Sequence, residues 1–508
     1  KVPVTPIKKD MYGNDLLTKV KTVIEAVTGD LRIDHPSNKS GIRKDSFPGF
    51  PIFRSFDDSY AYYDRKSIYD GVYNRDKFSF HLQPFEIDSL DNYKGKGLWF
   101  AGTFESSGIF PVFSDTLRLQ DDYSLGFNRS TPEEGFDIYG GKARFNNRIH
   151  LSHKGLKGTG DFEYLTAKAS ADDIFFFPDS TNLHTNIFNI SEVISGIEFP
   201  EVSNTQTYAH FLPYQDKLEV NKKKELFDFF KGQANFNGNL LLQPTSLTGR
   251  GIMILDKAEV TSDLFNYNAN WFSADTASLN VFEDGGKLAF KANNLRSYID
   301  LETRQGIFYS NGKGSYVTLP ANQYICYIDK LNWQMDEDLL TLGDPNNIDG
   351  SGSQFISIHP LQDSLNFTAK TAEYSLKDYV IHAGGIDELV IADAIIYPDS
   401  GILTVEKQAT IQTLYNSKIL VDDLTEYHTF TNAVIDIKSA NDYTASGDYT
   451  YIDALNNEQY IFFNEIKVNK DTITVALGEI KDDKPFHIGS KFDFKGIVEI
   501  LSDKRNLI

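Results

Sequence analysis

Catalysis and metal binding need polar side chains at fixed spacing, and here the reactive residues are scattered. The ten histidines are His35, His81, His150, His153, His184, His210, His359, His382, His428 and His487. His150 and His153 lie closest, but an offset of three on a strand sends the rings to opposite faces, so they make poor joint metal ligands. No His-Glu-x-x-His run occurs, and without Gly-x-Ser-x-Gly a serine nucleophile has no anchor. Asp344-Pro345-Asn346-Asn347-Ile348-Asp349-Gly350 is superficially like a calcium loop. Its spacing is off by one residue and Phe355 stands where the bidentate glutamate belongs, so a surface turn is expected. The doublets Asp121-Asp122, Asp172-Asp173, Asp422-Asp423 and Asp482-Asp483 would suit the paired carboxylates of a glycosidase. Neighbours on a strand face opposite ways, so these doublets are expected at strand ends or turns. Gly158-Thr159-Gly160 does not open a helix and reads as bend geometry, not as a phosphate loop. The lone cysteine, Cys326, sits in the strand-like run Tyr324-Ile325-Cys326-Tyr327-Ile328 and reads as core. No catalytic, cofactor-binding or metal-binding residue is therefore nominated, and a non-enzymatic role is expected. A parallel β-helix polysaccharide lyase or hydrolase is the strongest enzymatic competitor, though no acid and base can be named for it.

The elements that would carry any site are strands. With 38 Phe and 27 Tyr, the chain is rich in side chains that suit a pleated, half-buried surface. Period-two runs such as Tyr379, Ile381, Ala383 and Ile473, Val475, Leu477 are broken by Gly, Asn and Asp. One segment has helical spacing: Leu16, Val20, Val23, Ile24 and Val27 share a face, with Asn14 as N-cap and Gly29 beyond the end. His35 to Phe53 reads as a linker. No apolar run approaches the roughly 18 residues of a membrane helix. Trp99-Phe100, Ile174-Phe175-Phe176-Phe177, Phe227-x-Phe229-Phe230, Trp271-Phe272 and Trp333 are expected mostly in the core, with any exposed members offering contact patches. Fifty basic against 71 acidic residues give a formal charge of −21, which argues against nucleic acid or anionic membrane as a partner.

Self-similarity organises these strands. Residues 141–174 and 232–265 align without a gap at an offset of 91, sharing Gly141/Gly232, Ala143/Ala234, Phe145/Phe236, Asn146/Asn237, Leu151/Leu242, Leu156/Leu247, Gly158/Gly249 and Gly160/Gly251. A partial third copy begins at Gly447-Asp448-Tyr449, which follows Gly160-Asp161-Phe162 at an offset of 287. A β-unit of this kind cannot cover its own apolar face, so stacking with neighbours is expected. The predicted fold is all-β, an elongated array of antiparallel jelly-roll-like or solenoidal units with one short N-terminal helix. Its segments are a helix and linker over 1–52, a first β-region over 53–140, repeat units over 141–231 and 232–340, and a C-terminal β-region over 341–508.

Two resemblances suggest a setting. Asp88-Ser89-Leu90, Asp115-Thr116-Leu117, Asp275-Thr276-Ala277, Asp363-Ser364-Leu365 and Asp471-Thr472-Ile473 are similar to the acceptor motif of the general O-glycosylation system of Bacteroidota. That similarity implies glycans at Ser89, Thr116, Thr276, Ser364 and Thr472 and an exported protein. The stretches Phe85–Asn92, Leu119–Phe127, Gly155–Leu165, Ile395–Gly401 and Ser446–Tyr449 resemble large β-rich envelope proteins of Bacteroidota across roughly residues 45–500. The resemblance implies a periplasmic, outer-membrane-associated protein, and the motifs above leave it with no cofactor. Its implied partner is the outer-membrane β-barrel of the type IX secretion translocon, which it would plug or scaffold. A cell-surface glycan-binding or glycan-cleaving array and a structural adhesin or stalk are the alternatives. The chain starts at Lys1 without Met or signal peptide and reads as a processed segment.

Overall fold

A computed structural model describes residues 23–24, 27–38, 46–90, 98–120, 124–283, 285–312, 315–344, 352–422, 427–453, 455–481, 485–489, 491–505 and 507. Strand makes up 61% of the structure against 3% helical residues, so the chain is all-β, and the named ladders are antiparallel. The helical residues form short 3-10 turns, among them Tyr69–Gly71 and Pro213–Gln215. Two compact units, residues 1–249 and 250–508, divide the chain.

The expected N-terminal helix lies mostly outside the described residues, and its described end is extended instead. Ile24 forms an antiparallel bridge with Ala61, and the Tyr62 N–H donates to the Val23 carbonyl at 2.8 Å. Gly29, expected just past a helix, opens the strand Gly29–Arg32. Val23, Ile24 and Val27 are β-branched and stiff at χ1, so a spacing compatible with both periods yields to burial against a neighbouring strand.

In the first unit, four consecutive ten-residue strands pair each with the next. Ala143–Ser152 pairs with Gly155–Tyr164, that strand with Ala167–Phe176, and that in turn with Thr181–Ile190. Long strands also carry two short strands end to end on one flank. Ala143–Ser152 takes Leu125–Ser130 along one half and Phe136–Ile138 along the other. Ala234–Gln243 likewise takes Lys217–Lys222 and Phe227–Phe229. Inward positions are packed with rings: Phe176 meets Phe110 at 4.9 Å and Phe145 at 5.1 Å between centroids. Buried tyrosines join strands through their hydroxyls. Tyr73 donates to the Phe176 carbonyl at 2.8 Å and accepts from the Leu156 N–H at 3.1 Å.

A glycine bulge recurs along the chain. The ladder between Gly155–Tyr164 and Ala167–Phe176 shifts register between Gly158 and Gly160, and that between Asp442–Ile452 and Glu458–Val468 shifts between Ala445 and Gly447. Gly160 has φ +144° and Gly251 φ +153°. A Cβ on Gly160 would lie 2.1 Å from the Asn146 carbonyl oxygen, so only glycine fits this approach.

In the second unit, Cys326 is buried within the strand Tyr324–Tyr327, between Val317 and Phe355 of its neighbours. Burial pushes its thiol well above the usual range. The C-terminal part is an eight-stranded sheet running Leu389–Ile391, Ala394–Tyr397, Leu414–Val421, His428–Ser439, Asp442–Ile452, Glu458–Val468, Thr474–Ile480 and Gly496–Leu501 in spatial order. One row of cross-strand partners runs Leu389, Ile396, Ile419, Phe430, Tyr449 and Ile461. All but Tyr449 are buried, which defines the inner face. A polar clasp holds the last two strands. Asp393 accepts from the Thr474 N–H at 2.9 Å and from the Thr474 and Ser502 hydroxyls, and Thr474 Oγ1 also meets Tyr443 Oη at 2.9 Å.

Candidate functional site

Two surfaces gather side chains that could meet a ligand, one in each unit. In the first unit, a row on the solvent face runs Asn128, His150, Lys157, Phe175, Asn182 and His210 across six strands. The adjacent row brings Arg148 beside Thr159, and Asp173 beside His184, which faces Tyr208. Between them lies a shallow depression of about 230 Å³ bordered by Arg148, His150, Lys157, Asp172 and Asp173.

Asp172-Asp173 departs from its expected place at a strand end. The doublet sits inside the strand Ala167–Phe176, where the register slips between Ala171 and Asp173. The extra residue of that bulge lets both acidic residues border the same depression, which strict alternation would forbid. Each carboxylate is already engaged. Lys157 Nζ donates to Asp173 Oδ1 at 3.1 Å and lies over the Phe175 ring at 4.0 Å. Asn186 Nδ2 donates to Asp172 Oδ2 at 2.7 Å, while Thr159 Oγ1 donates to the Asp172 carbonyl at 2.8 Å. Further along, His210 Nδ1 donates to Asn182 Oδ1 at 2.5 Å. The Tyr69 hydroxyl is raised by partial burial and then by the Asp173 charge. This is a lattice of cross-strand polar pairs that satisfy one another.

The second surface is apolar. On the hairpin joining Asp442–Ile452 to Glu458–Val468, Ile452, Leu455, Tyr460 and Phe462 are 60%, 62%, 67% and 55% exposed. Tyr460 stands opposite Thr450 and Phe462 opposite Asp448, while Ile461 between them and Phe463 just beyond are buried. Ile452 is the diagonal neighbour of Tyr460, within reach of an aromatic ring. At the sheet edge, Ile497 is 70% exposed. Four consecutive apolar residues, Tyr460-Ile461-Phe462-Phe463, must put two on each face of a strand, so half of them face water. That run of four is the signal for this surface in the sequence.

The other candidate residues are dispersed. Among the described residues no group of histidine, cysteine and acidic side chains could hold a metal ion. Most of Asp344–Gly350 lies outside the described residues, as do Asp121-Asp122, Asp423 and Asp482-Asp483. Of the five hydroxyl residues with glycan-acceptor spacing, Thr276, Ser364 and Thr472 are exposed, and Ser89 and Thr116 are half-buried. Ser89, Ser364 and Thr472 share a left-handed backbone, with φ of +47°, +58° and +58°. Thr116 and Thr276 lie within the strands Phe113–Leu119 and Trp271–Phe282. Of the aromatic segments, Phe176, Phe227, Phe229 and Phe272 are core, whereas Trp99 is 61% exposed.

No protein-family model matches the chain, and neither a curated protein nor a solved structure is similar to it.

Proposed function

We propose that the protein is a non-catalytic binding protein of the cell envelope that engages another protein through the outer face of its C-terminal sheet. The observation that carries this reading is the exposed apolar hairpin of Ile452, Leu455, Tyr460 and Phe462. Contiguous apolar surface of this kind costs solubility and typically marks a contact surface for a protein partner. Aromatic side chains are also the residues that anchor such contacts. The resemblance to large β-rich envelope proteins supplies the partner class, the outer-membrane β-barrel of a secretion translocon, which this chain would plug or scaffold from the periplasm. The acidic balance suits that setting, because it disfavours adhesion to anionic lipid while leaving an apolar patch free for a protein. Purification from a native envelope fraction tests the reading. Recovery with an outer-membrane barrel is the expected result, and recovery as a free monomer overturns it.

A further inference from the structure

The C-terminal sheet ends at Gly496–Leu501, which pairs with Thr474–Ile480 and, among the described residues, with no other strand. The Ser502 N–H donates to the Thr474 carbonyl at 3.0 Å, and the register continues through Leu501/Val475, Ile500/Ala476, Glu499/Leu477, Val498/Gly478 and Ile497/Glu479. Antiparallel partners alternate between hydrogen-bonded and non-bonded pairs. Ser502, Ile500 and Val498 therefore bond inward, and Ile497, Glu499 and Leu501 turn their backbone groups to the open side. The Leu501 carbonyl accepts from the Lys504 N–H, which leaves five outward groups: three N–H and two C=O. Side chains follow the same alternation, with Val498 and Ile500 buried and Ile497 exposed.

Natural sheets blunt such edges with proline, lysine, an inward charge or a bulge. Gly-Ile-Val-Glu-Ile-Leu uses none of these, and its only charge points outward. We propose that this edge accepts an extended segment of a partner protein as a ninth strand, with an apolar residue beside Ile497 and a lysine or arginine beside Glu499. The proposal rests on the protein-binding reading above and places part of the contact on backbone hydrogen bonds. Charge selects against a second copy of this chain. The antiparallel register that sets Ile497 against Leu501 also sets Glu499 against Glu499, and like charges directly opposite destabilise a ladder.

The test uses the full chain with two synthetic nine-residue peptides of alternating threonine and valine, one with a central lysine and one with a central glutamate. Amide hydrogen exchange is read residue by residue. The lysine peptide should slow exchange at Ile497, Glu499 and Leu501 at least tenfold, with Val498 and Ile500 protected throughout, and the glutamate peptide should bind several-fold more weakly. Glu499→Pro removes one outward N–H without touching the ladder to Thr474–Ile480, and should abolish the added protection. Ile497→Lys, which cannot fail through proline geometry, should do the same. Outward amides that are protected without peptide, or unchanged by it, overturn the proposal, as does concentration-dependent protection that reveals self-pairing. Co-purification with an envelope partner that survives Glu499→Pro would sink the edge contact while leaving the proposed function standing. Loss of that partner on Tyr460→Glu with peptide addition intact would locate the main contact on the outer face.

Discussion

Gly160 shows how a single residue fixes local geometry. Its φ of +144° is open to glycine alone, and the Asn146 carbonyl leaves no space for a methyl group. Gly160→Ala should therefore destabilise the protein by about 3 kcal/mol, seen as a lower urea midpoint with an unchanged slope. Gly108, at φ +78° with open space around it, is the comparison, and alanine there should cost about 1 kcal/mol. Equal losses at both positions would mean the close approach contributes nothing. The bend role of Gly158-Thr159-Gly160 was legible because glycine in a strand has few uses. The pairing of Asp172 with Asp173 around one depression was not legible, because a bulge is a register event set by the neighbouring strand.

At the scale of elements, alternation identified the strands well, since a half-buried sheet imposes period two on its sequence. The segment around Ile24 read as helix because three β-branched residues can satisfy either period until a partner strand is present. Which strands pair was largely hidden. Ala143–Ser152 and Ala234–Gln243 each take two short partners along one flank, and no local pattern encodes such a division. The apolar hairpin was readable only as a run of four, not as a surface. Its exposure predicts a separation of effects. Tyr460→Glu and Phe462→Glu should each leave stability within about 0.5 kcal/mol of wild type, because neither side chain is buried. The double variant should nevertheless lose the envelope partner in co-purification. Equal partner recovery would remove the hairpin from the contact.

Taken as a whole, the molecule combines a strongly acidic balance with an interior full of phenol groups. Desolvation holds the hydroxyls of Tyr63, Tyr139, Tyr267, Tyr324, Tyr374 and Tyr443 above their ordinary range. The unfolded chain releases these protons near pH 10, while the folded chain keeps them. Their contribution is therefore complete below about pH 10 and declines as pH rises through the folded values, by about 1.4 kcal/mol per unit for each tyrosine. Alkaline unfolding should begin just above pH 10, with tyrosinate absorbance rising together with loss of the sheet signal in circular dichroism. Ionisation near pH 10 with the fold intact would show that these rings are reached by water. The charge was plain from composition, and the number of tyrosines was too. Their burial depends on which face of each strand turns inward.

The lone thiol has a use of its own. Cys326 is shut between Val317 and Phe355 and kept protonated by burial, so a reagent in solution reaches it only when those strands part. Labelling kinetics would then time the breathing of the second unit, with no engineered probe, and the rate should rise steeply with urea if only global opening uncovers the sulfur. A partner strand clamped on the Gly496–Leu501 edge should leave that clock unchanged if opening is local, and slow it if the unit opens as one.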